Sequence, residues 1–109
     1  MKVNILGTIY TVDERTVEED SYLKNCDGYC DKSSKEIVIV KKRDNNELNN
    51  WEWYRKKVMR HEIIHAFFNE SGLMENFAHT ECGQEETTID WIAIQFPKML
   101  EAFKATGCL

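Results

Sequence analysis

The sequence predicts an α+β fold: one small domain in which a mostly antiparallel sheet from the N-terminal half packs on two helices. Three observations carry this expectation. Strand-like runs rich in β-branched residues lie before Arg43. An apolar rhythm of three and four residues then takes over, from about Glu47 to Asn69 and again from about Glu85 to Ala105. No repeat, low-complexity tract or linker divides the chain, so residues 1–109 are read as a single domain.

The first strands are expected at residues 3–6 and 9–13, joined by Gly7-Thr8 as a type II′ turn with Gly in its first position. Thr16 and Glu19 have the spacing of a capping box, which predicts a short helix through Lys24. A second hairpin follows: a short strand at residues 28–31, a polar turn at 32–35 and a return strand at 36–42. Ile37, Val38, Ile39 and Val40 do not alternate with polar residues, which places them on an inner strand covered on both faces. The shorter strand with Tyr29 and Cys30 then belongs at an edge.

In the first helix Leu48, Trp51, Tyr54, Val58, His61, His65 and Phe68 form one stripe, and Gly72 is the expected stop. Arg55, Lys56, Lys57 and Arg60 read as a solvated face. Residues 73–84 are expected to form a loop. Ile89, Ile92, Phe96, Met99, Leu100 and Phe103 make the stripe of the second helix, which Pro97 should kink or split.

A composition of 42% hydrophobic and 30% charged residues places the chain among globular rather than disordered proteins. A net charge of -5 argues against a nucleic-acid backbone as partner and weakly favours a positively charged substrate. No apolar run approaches a membrane span, and the N-terminus lacks a signal-peptide pattern. A cytoplasmic location is therefore expected. There Cys26, Cys30, Cys82 and Cys108 would remain free thiols rather than build a second zinc site.

The chemistry centres on His61-Glu62-Ile63-Ile64-His65. Two histidines four apart on a helix project from one face, so both imidazoles reach one small cation, and Zn²⁺ accepts such ligands. Glu62 is turned about 100° from His61, where it flanks the metal and is placed to take a proton from an activated water. A catalytic zinc needs a third protein ligand. His79, Glu81, Cys82, Glu85, Glu86 and Asp90 are the downstream candidates. The metzincin pattern is excluded, since Phe68 and Ser71 stand where it requires Gly and His.

His-Glu-x-x-His on one helix and Glu86-Thr87-Thr88-Ile89-Asp90 on the next resembles the gluzincins, the thermolysin-like class of zinc peptidases. The stretches at residues 27–31, through His65-Ala66-Phe67, and at 90–95 also resemble small zincin-like peptidases of phages and prophages, related to the ImmA/IrrE type. The resemblance implies His61, His65 and Glu86 as zinc ligands, Glu62 as general base and Asp90 as the carboxylate that orients a ligand histidine. It also implies an edge strand that aligns a peptide substrate, here Tyr29 and Cys30. The oxyanion-stabilising histidine of thermolysin has no counterpart after Glu86. His79 is the candidate donor, with a plain loop position as its alternative. The implied function is zinc-dependent hydrolysis of a peptide bond in a protein or peptide substrate. A catalytically silent, zinc-stabilised module that contacts a regulator protein is the alternative.

Overall fold

The computed structural model describes residues 1–73 and 85–109. His79, Cys82 and most of the expected loop lie outside the described residues. The chain runs β1 (Lys2–Ile5), β2 (Thr8–Arg15), a 3₁₀ turn (Ser21–Lys24), β3 (Gly28–Asp31), β4 (Glu36–Val40), α1 (Trp51–Ser71) and α2 (Glu86–Thr106). The α+β expectation holds.

The sheet has the order β1-β2-β4-β3. Both outer pairs are antiparallel hairpins, and the central β2–β4 pair is parallel. Ile37, Val38, Ile39 and Val40 are buried on this inner β4, and β3 forms an edge, as expected. One face of the sheet presents Ile5, Tyr10, Val12, Ile37 and Ile39 to Val58 and Ala66 of α1. The other face presents Val38 and Val40 to Leu23 of the 3₁₀ turn. This two-sided covering explains why β4 lacks alternation.

Several boundaries differ from expectation. The first turn is Leu6-Gly7, not Gly7-Thr8. Both residues have positive φ, 51° and 95°, as in a type I′ turn. The Asn4 side chain accepts the Gly7 N–H at 2.7 Å, and Thr8 becomes a strand residue whose hydroxyl donates to Glu70 at 3.0 Å. Half of the capping box forms: Thr16 Oγ1 accepts the Glu19 N–H at 3.1 Å. The helical turn itself is 3₁₀, short, and capped by Asp20.

Helix α1 starts at Trp51 rather than Glu47, because the Asn50 side chain takes the Trp53 N–H at 3.0 Å and acts as the N-cap. Leu48 is therefore outside the helix and exposed. Gly72 ends α1 in the left-handed conformation, φ 85°. The deeply buried positions of α1 are Val58, which belongs to the stripe read in the sequence, and Glu62 and Ala66, one step round from it, so both histidines sit at the border of the buried face. Glu70 anchors the last turn. It accepts Tyr10 OH and Lys35 Nζ, each at 2.7 Å, besides Thr8.

Helix α2 packs chiefly on α1, burying Ile89 and Ala93. It runs unbroken through Pro97. Phe96 and Phe103, expected in its buried stripe, are exposed. None of the described helices is long and apolar enough to cross a membrane.

Candidate metal centre

The His-Glu-x-x-His segment folds as predicted, in the middle of α1. His61 Nε2 and His65 Nε2 lie 3.2 Å apart. Glu86, the first residue of α2, closes the group: its carboxylate oxygens are 2.9 Å from His61 Nε2 and 3.1 Å from His65 Nε2. Tetrahedral coordination at ordinary Zn–N and Zn–O lengths would set neighbouring ligand atoms roughly 3.3 Å apart. The two imidazole nitrogens have close to that spacing, and each faces a different oxygen of Glu86, with one donor atom from each residue within 4.8 Å of the others.

The protonation pattern fits the same reading. His61 Nδ1 faces Asp90 Oδ1 at 3.2 Å. With Nδ1–H donating to this carboxylate, Nε2 keeps its lone pair turned toward His65 and Glu86. Burial pushes the His65 pKa down, which favours the neutral imidazole with an unprotonated ring nitrogen. One proton satisfies a single pair among these acceptors; a divalent cation satisfies all three.

Asp90 is itself held. Lys57 Nζ donates to Asp90 Oδ1 at 3.1 Å and stands 4.9 Å from the centroid of the Tyr54 ring. Burial opposes ionisation of Asp90, but the hydrogen bonds from Lys57 and His61 outweigh it and leave its pKa below the ordinary value.

The choice between neighbouring carboxylates follows from the helix end. Glu85 is the N-cap of α2, accepting the N–H groups of Thr87 at 2.9 Å and Thr88 at 2.6 Å. That role turns Glu85 onto its own backbone and leaves Glu86 to face the histidines.

Glu62 is buried beside this group. Loss of solvent, reinforced by the charge of Glu86, pushes its pKa up to about 8. Among the described residues no side chain hydrogen-bonds its carboxylate. Its stem lies against Gly28: a Cβ there would meet Glu62 Cγ at 3.2 Å and Val58 Cγ1 at 3.0 Å. Gly28 thus lets α1 approach the edge strand closely.

His61, Glu62, His65, Glu86 and Asp90 line one cleft of about 930 Å³, whose opposite wall is β3 with Tyr29 and Cys30. Burial, and then the Glu62 charge, push the Cys30 thiol up to about 12, so it is no nucleophile at neutral pH. The Tyr29 hydroxyl donates to Asp20 at 2.6 Å and is likewise pushed up to about 12, by burial and then Asp20. Cys26, Cys30 and Cys108 are free.

Sequence reasoning missed Lys57, Arg60 and Gly28. Lys57 and Arg60 do not form a solvated face; both are half-buried and bond to α2, through Asp90 and the Ala93 carbonyl. The signal for Lys57 was its place one turn before His61. Arg55 also departs from the expected solvated face, bridging Glu14 and Glu52. Comparison of the chain with protein-family models, with curated proteins and with solved structures gives no match.

Proposed function

We propose that this protein is a zinc-dependent peptidase. The observation that carries the reading is the convergence of His61 Nε2 and His65 Nε2, 3.2 Å apart, on the two oxygens of the Glu86 carboxylate at 2.9 and 3.1 Å, in the cleft that also holds Glu62. Zn²⁺ held by these three residues would supply a Lewis acid that polarises a carbonyl and acidifies water. Asp90 keeps His61 in the tautomer that offers Nε2. Glu62 accepts a proton from the attacking water and delivers it to the leaving amine nitrogen. Among the described residues no side chain hydrogen-bonds its carboxylate, and a bound cation would favour the ionised base that burial disfavours.

The edge strand supports a peptide rather than a small substrate. The Val40 N–H bonds to the Asp27 carbonyl at 2.9 Å, and antiparallel pairing alternates from there. Tyr29 and Asp31 therefore direct their backbone groups at β4, while Gly28 and Cys30 direct theirs away from it. An extended peptide laid beside β3 would meet those groups by strand addition.

The test is zinc content by elemental analysis, followed by digestion of unstructured peptides with and without a chelator. Zinc at one equivalent and chelator-sensitive cleavage support the reading. A chain that remains metal-free after zinc dialysis refutes it. Tight zinc with no cleavage by the wild type, and stability that depends on the metal, would assign the protein to the class of silent zinc-stabilised modules.

A further inference from the structure

We infer that Arg60 and Pro97 form a latch that sets the position of α2 along α1, and so holds Glu86 and Asp90 against His61 and His65; one of its two readouts rests on the zinc reading above. Pro97 has no N–H and makes no bond to the carbonyl four residues back, that of Ala93. Ala93 is fully buried, where an unpaired carbonyl is unfavourable. Arg60 Nε donates to this carbonyl at 2.6 Å. The carbonyl that Pro97 frees is the one Arg60 takes.

The latch shares a face with the site. Glu86, Asp90, Ala93 and Pro97 follow one another at steps of four, three and four, which keeps them on one side of α2. On α1, Arg60 directly precedes His61. Glu86 stands at the first position of α2, where a helix is least held by its own hydrogen bonds. The fully buried contacts of α2, Ile89 and Ala93, are apolar, and the Lys57–Asp90 bond ties the helices within the site itself, so Arg60 adds a directional tie one turn further along. A hydrogen bond from a charged guanidinium is directional and stronger than a neutral one. A slip of one turn would move Glu86 by about 5.4 Å and take it off both histidines. Arg60 is thus a positioning residue, and Pro97 selects its partner.

The experiment compares the full chain with Arg60→Ala, Arg60→Lys, Pro97→Ala and the Arg60→Ala/Pro97→Ala double variant. Amide hydrogen exchange across residues 86–93 is read on metal-free protein, and zinc affinity by chelator competition. Arg60→Ala is expected to speed exchange in those first turns and to weaken zinc roughly 10–100-fold. Arg60→Lys should fall between it and wild type, keeping a donor but losing the planar fork. Pro97→Ala is the sharper variant. It raises intrinsic helix propensity, yet gives residue 97 an N–H that competes for the Ala93 carbonyl. Zinc affinity should fall in Pro97→Ala, and adding Arg60→Ala should lower it little further. Unchanged zinc affinity in Pro97→Ala, or an Arg60→Ala effect of equal size in both backgrounds, would overturn the latch. A wild type that binds no zinc refutes the peptidase reading, and the exchange data then decide the latch alone: unchanged exchange in Arg60→Ala overturns it.

Discussion

Glu62 Cγ occupies space that any side chain at Gly28 would need, 3.2 Å from where a Cβ would stand. The same Cβ would come within 3.0 Å of the Val38 carbonyl, which belongs to the inner strand and cannot yield easily. Gly28→Ala is therefore expected to press α1 away from β3, at a cost of about 1–3 kcal/mol of stability. Peptide cleavage should fall further than stability alone explains, because Glu62 shifts relative to the strand that would hold the substrate. Urea unfolding together with turnover of the surviving folded protein checks this. A variant of wild-type stability would show that the contact is loose.

Replacing Glu62 by Gln keeps size and burial but leaves no group to accept the water proton. Zinc content should stay at the wild-type level, since His61, His65 and Glu86 are untouched. Turnover is expected to drop about 10²–10⁴-fold. Retained turnover in Glu62→Gln would remove this residue from the proton-transfer role.

Acid sensitivity should be traceable to Glu70. Its hydrogen bonds from Lys35, Tyr10 and Thr8 pull its pKa from the ordinary 4.5 down to about 2 in the folded chain. A depressed carboxylate pKa means the unfolded chain binds more protons in between. The stability Glu70 contributes is then present above pH 4.5 and is lost as pH falls through 2. Urea midpoints measured from pH 6 downward should decline less steeply over that window in Glu70→Gln than in wild type. Parallel curves would mean that these bonds form equally well with the acid.

What could be read from the sequence divides along physical lines. The uniform β-branched run of Ile37 to Val40 required cover on both faces, so the inner position of β4 was legible. His61, His65, Glu86 and Asp90 each lie one helical turn from a partner on the same helix, and such spacing survives any detail of packing. Helix ends were less legible. Asn49 and Asn50 offer the same cap chemistry as Asp44, Asn45 and Asn46, so local rules do not choose among them, and it is Asn50 that caps α1. The roles of Lys57 and Arg60 were hidden because they depend on how α2 crosses α1, which no local pattern encodes. Pro97 signals a kink or split by local rules, whereas the carbonyl it frees is bonded by Arg60 and the helix continues.

The assignment of Glu86 over Glu85 yields the most direct contrast. The two carboxylates are adjacent in sequence, yet Glu85 caps α2 and Glu86 faces the histidines. Glu85→Ala removes acceptors for two backbone N–H groups at the helix start and is expected to lower thermal stability while leaving most of the zinc affinity. Glu86→Ala removes the proposed ligand and no cap, so zinc affinity should collapse while metal-free stability barely moves. Asp90→Ala should fall between, weakening zinc by roughly 10–100-fold, since His61 would lose the carboxylate that orients it. That variant also frees Lys57 Nζ in the cleft, and the added positive charge works against cation binding in the same direction. Zinc affinity by chelator competition, beside thermal melts of the metal-free variants, separates the three cases. Zinc binding that survives Glu86→Ala but is lost in Glu85→Ala would reverse the assignment and place the helix start one residue away from where it stands.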